Sequence, residues 1–406
     1  MPENRNQIFP FCQKNFIFAI YLSIDQIMEN FKAYNPTKIH FGKRVTEKLG
    51  EVVRDYGDRT MLIYGKGSAV KYGYYDLIRQ QLQSAGLEII EFPGIKPNPI
   101  IEVVNQGIKI GSAKQVDSIV ALGGGSVIDS AKIISLGIPG KYPGWDIMKG
   151  RIELDQSVPL ITVLTLAATG SEMNGAAVIQ NHTTNEKIGY VNELSFPKHS
   201  FLDPEFTLSV PRDYTAYGIV DLIAHALEAY FSKVEVSLTD RFIVSIIKDA
   251  MHYGPLLLKE LDNYEYRANI MLDAMCALNG ITSYGRDRGD WGVHAIGHQL
   301  SLLYDLAHGA TLSIAYPAWL KLQTSRIGER IAGLGKDLFG VNSAAATIDH
   351  LTKFFVSLKC PVHLGAVGID NGKKTEIVQI MNQNKVSGMN HLLSKKDHTT
   401  LVNLMM

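Results

Sequence analysis

The sequence is poor in cysteine, has no net charge and contains no apolar run of bilayer-spanning length. Its three cysteines, Cys12, Cys276 and Cys360, are far apart and form no CxxC pair. That argues against a disulfide framework or a thiolate zinc site and fits a reducing, cytoplasmic setting. The 40 Lys+Arg residues balance 40 Asp+Glu residues. No basic run of five or more occurs, so no surface of the kind that neutralises nucleic-acid phosphates or anionic lipid is expected. GxSxG, the nucleophile elbow of serine hydrolases, is also missing.

The longest apolar stretch near the start, Phe16 to Ile24, has nine residues, against about 20 for a transmembrane helix. No AxA cleavage site follows it. Turn and strand signals begin only with MENFKAYNPTKIHFGK. Met28 is therefore expected to start the folded part. Residues 1–27 are expected to be an extension of unknown role, which a displaced translation start would explain.

What remains is ordinary globular composition, 46% hydrophobic and 20% charged. With roughly 150 residues per domain, the chain has the length for two or three domains. Between about 59 and 207 short apolar segments alternate with helical ones. Thr60–Tyr64, Leu87–Phe92, Val116–Leu122, Leu160–Leu164 and His199–Leu202 read as strands. Tyr72–Ser84, Ile100–Ile110 and Ser126–Leu136 read as helices. This alternation predicts βαβ units, right-handed crossovers and a parallel sheet. From about Tyr214 helical patterns dominate, at 214–231, 239–260, 264–283, 291–303 and 308–324. The expected architecture is an α/β dinucleotide-binding domain with a parallel, Rossmann-like sheet over 28–207 and an all-α domain over 208–406, divided near Asp203-Pro204 and Pro211.

Two glycine-rich turns follow strands. Gly123-Gly124-Gly125-Ser126 opens the helix after Val116–Leu122. Glycines there permit positive φ and close ligand approach, and a helix N-terminus suits pyrophosphate. The alternative is a tight turn closed by a capping-box-like pair, Ser126 and Asp129. It is not a GxGxxG, since Ile128 stands at the last position. The other turn, Gly65-Lys66-Gly67-Ser68 with Lys71, has no acid between 65 and 75 to bind a ribose 2′-hydroxyl. Lys66, Ser68 and Lys71 fit a 2′-phosphate site, or two solvated lysines on a loop.

The helical half carries Asp221 and His225 four apart in GIVDLIAHALEAY, and His294 and His298 four apart in WGVHAIGHQL, with His308 beyond. Residues i and i+4 share a helix face. A buried Asp is costly unless paired or metal-bound. The set reads as a divalent-metal site using imidazole and carboxylate, as Fe2+ or Zn2+ do, or as satisfied core residues. His40, His182, His199, His252, His350, His363, His391 and His398 show no such arrangement and read as structural or surface residues.

Together with NPTKIHFG (35–42), KPNP (96–99), GGGSVIDSAK (123–132), TLAATGSEMN (165–174) and GDWGVHAIGHQLSLLYDLAHGATLSIAYPAW (289–319), these segments resemble the iron-containing (group III) alcohol dehydrogenases, in particular their butanol dehydrogenase branch. The resemblance spans about Asn30 to Val367. It implies a dehydroquinate synthase-like two-domain architecture with the active site between domains, and a cytoplasmic homodimer. It implies metal ligands at Asp221, His225, His294 and His308, with His298 a non-ligand histidine near the substrate that passes a proton. Gly123, Gly124, Gly125 and Ser126 match the pyrophosphate loop. Asn98, Thr165, Thr169, Val178 and Lys187 match positions lining the cofactor. Relatives that use NAD carry Asp where Lys66 aligns, so NADP(H) is expected over NAD(H). The implied reaction is hydride exchange with a short-chain primary alcohol or aldehyde. A dehydroquinate synthase-like lyase and a non-catalytic nucleotide- or metal-binding protein are the alternatives. The lyase should present more basic residues around 221–308 than this chain has.

Overall fold

A computed structural model describes residues 28–65 and 67–406. The extension 1–27, Cys12 and Lys66 lie outside the described residues.

The strands are β1 (Lys38–Phe41), β2 (Arg59–Gly65), β3 (Glu88–Ile95), β4 (Ser118–Gly123), β5 (Leu160–Leu164), β6 (Ala176–Asn181), β7 (Glu186–Val191) and β8 (His199–Leu202). Six form one sheet in the order β1-β8-β5-β4-β2-β3, with every pairing parallel. Strands β4 and β5 are buried at every position, as befits a sheet covered on both faces. The chain runs outward from β2 to β3, then returns to pair β4 on the other side of β2. This reversal leaves a crevice at the carboxyl ends of β2 and β4, and both glycine-rich turns end these two strands.

The five strands expected from the sequence all form, β5 and β8 with the expected ends and β2, β3 and β4 with ends shifted by one to three residues. The hairpin of β6 and β7 was not foreseen. Its apolar runs are short, 176–179 in β6 and the glycine-broken 188–191 in β7, and neither strand alternates cleanly. No strand follows Leu202 among the described residues. The helices there are Arg212–Tyr230, Ser237–Leu257, Tyr264–Leu278, Gly292–Tyr304, His308–Phe339, Ala344–Ser357, Lys374–Gln383 and Lys395–Met405.

Two helix ends differ from expectation for visible reasons. The helix from Tyr264 stops at Leu278 because Gly280 adopts φ 104°. The helix from His308 continues past 324 through a kink at Ile327, with Ile331 and Leu334 buried beyond it. The polar run Thr324-Ser325-Arg326 had hidden that continuation.

The helical core gathers on the Arg212–Tyr230 helix, in which every residue from Gly218 to Tyr230 is buried. A helix apolar on all sides belongs in the middle of its domain, which places Asp221, His225 and Glu228 in the interior. Among the described residues no helix is long and apolar enough to cross a membrane.

Candidate active site

Asp221 and His225 share a face of the central helix, and two neighbouring helices bring histidines to them. The Gly292–Tyr304 and His308–Phe339 helices pack closely: a Cβ on Gly297 would lie 2.7 Å from Thr311 Oγ1. A Cβ on Gly309 would lie 2.1 Å from the Tyr217 carbonyl oxygen. Only glycine lets the start of the second helix reach the central one, and that contact brings His308 to Asp221.

The donor atoms converge. Asp221 Oδ1 lies 3.7 Å from His225 Nδ1, 3.9 Å from His294 Nε2 and 3.6 Å from His308 Nε2. Potential ligand atoms of Asp221, His294 and His308 all lie within 4.8 Å of one another. The His225 ring stacks on His294 at 4.7 Å between centroids. Asp221 Oδ1, His225 Nδ1 and His294 Nε2 are buried and have no hydrogen-bond partner. Buried polar atoms left unpaired are costly, and here two imidazole nitrogens without partners stand 3.7 and 3.9 Å from an unpaired carboxylate oxygen, as an ion site would require. One carboxylate and three imidazoles suit Fe2+ or Zn2+. The residues therefore fit the divalent ion that the resemblance implies.

Burial raises the Asp221 carboxyl, but His225, His308 and His294 outweigh it and hold the group well below the usual carboxylate range. Burial also lowers His294, yet Asp221 and Glu228 bring it up to about 9. His225 falls to about 4 and His308 to about 3, desolvation being the main cause in each.

Glu228, absent from the sequence reading, completes the group. It is 1% exposed. Its Oε1 faces His294 Nδ1 at 2.8 Å and accepts the His294 backbone N–H at 3.0 Å. A carboxylate on the far nitrogen fixes the tautomer and aims Nε2 at the ion. Its place three residues after His225, one turn along the same helix, was the available signal.

The cluster opens on a cleft of about 830 Å³. Of the residues expected at the cofactor, Asn98, Gly125, Ser126, Asp129, Thr169, Val178 and Lys187 line this cleft together with His225, His294, His298 and His308. His298 stands 5.6 Å, ring to ring, from His308. Burial, Lys187 and the other histidines depress its basicity. Gly123, Gly124 and Thr165 sit behind the lining, where the Thr165 N–H donates to the Gly123 carbonyl at 3.1 Å. Gly65, Gly67, Ser68 and Lys71 are not in the lining. They end the adjacent strand β2 and open the short helix Ser68–Lys71, with Ser68 and Lys71 exposed.

Two expectations about the triple-glycine turn need correction. None of the three glycines has positive φ. Space explains them instead: a Cβ on Gly125 would lie 2.6 Å from Thr169 Cγ2, and one on Gly123 would lie 2.4 Å from Val127 Cγ2. The capping box does not form either. No side chain caps the Gly125–Gly137 helix. Asp129 accepts from Ser171 Oγ at 2.6 Å and from the Val178 N–H at 2.9 Å. A carboxylate with two donors on neighbouring segments of the sheet half has no reason to turn back on its own helix, and it anchors β6 instead.

Lys187, on β7, is buried and donates to Asn98 Oδ1 at 2.7 Å, and Asn98 Nδ2 donates to Asp305 Oδ1 at 2.8 Å. Burial lowers its ammonium to about 8. Asn98 and Asp305 both have positive φ, 53° and 50°. This chain ties the sheet half to the helical half beneath the cleft. Lys132 was also missed. It is fully buried and donates to Ser171 Oγ, Asn174 Oδ1 and the Ala176 carbonyl, which stiffens the floor.

Known proteins share this architecture. Residues 36–204 match the iron-containing alcohol dehydrogenase family, and residues 215–404 match the C-terminal domain of the Fe-containing alcohol dehydrogenase family. The chain belongs to this family and is an NAD(P)-dependent alcohol dehydrogenase by class. It is 39% identical over 381 residues to the probable NADH-dependent butanol dehydrogenase 1 of Bacillus subtilis, covering 91% of this chain and 98% of the relative. It is 35% identical over 379 residues to the NADPH-dependent aldehyde reductase YqhD of Escherichia coli, covering 90% and 96%. The crystal structure of NADH-dependent butanol dehydrogenase A from Thermotoga maritima superposes with a TM-score of 0.90 at 34% identity, covering 93% of this chain and 99% of that one. The fold is a Rossmann-like sheet domain followed by a helical domain, as expected.

Proposed function

We propose that this chain reduces short-chain aldehydes of the butyraldehyde type with NADPH, using a divalent ion held by Asp221, His225, His294 and His308. The observation that carries the reading is the convergence of unpaired buried donor atoms on Asp221 at the wall of a cleft that also meets the triple-glycine turn. When bound, the ion supplies Lewis-acid polarisation of the carbonyl and the nicotinamide supplies hydride.

The chain's own residues do the rest. Gly125 and Ser126 take the pyrophosphate at the helix N-terminus. Thr169, Val178 and Lys187 orient the nicotinamide half. Glu228 keeps His294 directed at the cluster. His298 faces the cleft and passes a proton from solvent to the carbonyl oxygen as the aldehyde is reduced, the same path running outward in alcohol oxidation. The sheet domain over 28–207 and the helical domain over 208–406 enclose the reacting atoms and keep water away from the hydride path. Lys66, Ser68 and Lys71 receive the 2′-phosphate, which favours NADP(H) over NAD(H). A cytoplasmic homodimer belongs to the same proposal, and light scattering tests the assembly.

Initial rates with butyraldehyde, NADPH and NADH test the function. We expect a preference for NADPH that Lys66→Asp shifts towards NADH. An unchanged cofactor ratio in Lys66→Asp would refute the 2′-phosphate assignment. Absence of aldehyde reduction with either cofactor would refute the function.

A further inference from the structure

Trp291 is the least comfortable residue around the cleft. It precedes the Gly292–Tyr304 helix with φ 62° and ψ 10°. A bulky aromatic in the left-handed region is a backbone outlier, held only where the surroundings over-determine it. Here they do. The indole N–H donates to the Arg288 carbonyl at 2.7 Å, and the Trp291 carbonyl accepts the first helical N–H, from Ala295, at 3.0 Å. A right-handed residue at 291 would send the side chain elsewhere. The strain keeps the ring where it is.

Its position is against the ion cluster. The Trp291 ring lies 5.0 Å from the His294 ring, nearly edge-on, and 6.0 Å from the His225 ring. It is half-buried and lines the cleft from the helical side. Gly125, Ser126 and Val178 line the same cleft from the sheet side, the side assigned above to the cofactor. A carbonyl carbon presented to Asp221, His294 and His308 therefore has cofactor on one hand and indole on the other.

We propose that Trp291 is a specificity-determining residue. Its indole face forms the wall along which the carbon chain next to the carbonyl lies, so the site takes unbranched aldehydes and disfavours those branched at the α-carbon. This rests on the aldehyde-reductase reading. In that placement a methylene would lie along the flat, rigid ring, whereas a second methyl group on the α-carbon would be directed at it. Misfit of one methyl group or methylene against such a wall changes kcat/KM by about tenfold or more.

The test is kcat/KM for n-butyraldehyde and for isobutyraldehyde with NADPH, in the full-length enzyme and in Trp291→Phe and Trp291→Ala, with metal content measured on each preparation. In the wild type we expect the straight chain to be preferred by about tenfold. Trp291→Phe retains a ring and should keep most of that preference. Trp291→Ala should abolish it, with KM for n-butyraldehyde raised and metal content unchanged. A preference equal to wild type in Trp291→Ala, or one weaker in Phe than in Ala, would overturn the proposal. If the wild type reduces neither aldehyde, the function on which the proposal rests fails first. That result is distinct from an active wild type whose ratio the substitutions do not move.

Discussion

Glu228→Gln isolates one contribution to ion binding. The glutamine is isosteric, and its amide oxygen can still accept the two His294 N–H groups that Glu228 Oε1 faces at 3.0 and 2.8 Å. Only the charge is lost. The carboxylate is 1% exposed, so its effect on the ring is not screened by water. Loss of a carboxylate behind a ligating histidine costs about 10–100-fold in metal affinity, which is about 1.4–2.7 kcal/mol. Two features keep the fold from failing with it. Neighbouring Asp290 is pushed up to about 6 by burial and by the nearby Glu228 charge, so removing that charge relieves a repulsion. The Glu228 carbonyl also still accepts the Asp290 N–H at 3.1 Å. The assay is equilibrium titration of metal-stripped protein with Co2+, read by its absorption bands, beside thermal unfolding of the same stripped samples. We expect weaker Co2+ binding by 10-fold or more with an unfolding temperature within a few degrees of wild type. Wild-type Co2+ affinity in Glu228→Gln would refute the orienting role.

Three further outcomes follow from the geometry. Gly125→Ala places a methyl group 2.6 Å from Thr169 Cγ2, and NADPH affinity read by nicotinamide fluorescence should fall about tenfold or more, with the ion retained. Asp305→Ala removes the nearer of the two acceptors of the Asn98 amide and leaves the Leu306 carbonyl at 3.4 Å, and should cost about 1 kcal/mol in urea unfolding and raise KM for the cofactor more than it lowers kcat. Asp273, whose Oδ2 lacks a partner, has its carboxyl raised to about 8 by burial and by Asp249. Its folded-state value thus lies above the unfolded one, so stability should decline as pH rises from about 4 to about 8 and then level. Asp273→Asn should remove that decline, gaining about 1–3 kcal/mol at pH 8 relative to pH 5 in urea unfolding. An unchanged pH slope would refute the assignment.

Legibility in the sequence followed physical rules. Strands β2, β4 and β5 were readable because burial on both faces demands continuous apolar runs such as TMLIY. The grouping of Asp221 with histidines was readable because Asp221 has apolar neighbours on both sides, Val220 and Leu222, where an unpaired carboxylate is untenable. The β6–β7 hairpin was not, since its strands are specified by long-range anchors, Asp129 to Val178 and Lys132 to Ala176, which leave no local pattern. Glu228 escaped notice because a carboxylate one turn from a helix ligand looks like any solvated glutamate until the helix is known to be buried. At the triple-glycine turn the sequence suggests positive φ and close ligand approach; the glycines instead clear Thr169 and Val127, and none has positive φ.

We propose above that Asp221, His225, His294 and His308 hold a divalent ion needed for aldehyde reduction. The most direct test strips the purified chain with chelator and then restores Fe2+ or Zn2+, measuring bound metal and NADPH oxidation with butyraldehyde at each stage, in wild type and in Asp221→Ala. Activity should fall with the metal and return with it in the wild type, and Asp221→Ala should stay folded, metal-poor and inactive throughout. Full activity in the stripped wild type, or in Asp221→Ala without bound metal, would contradict it.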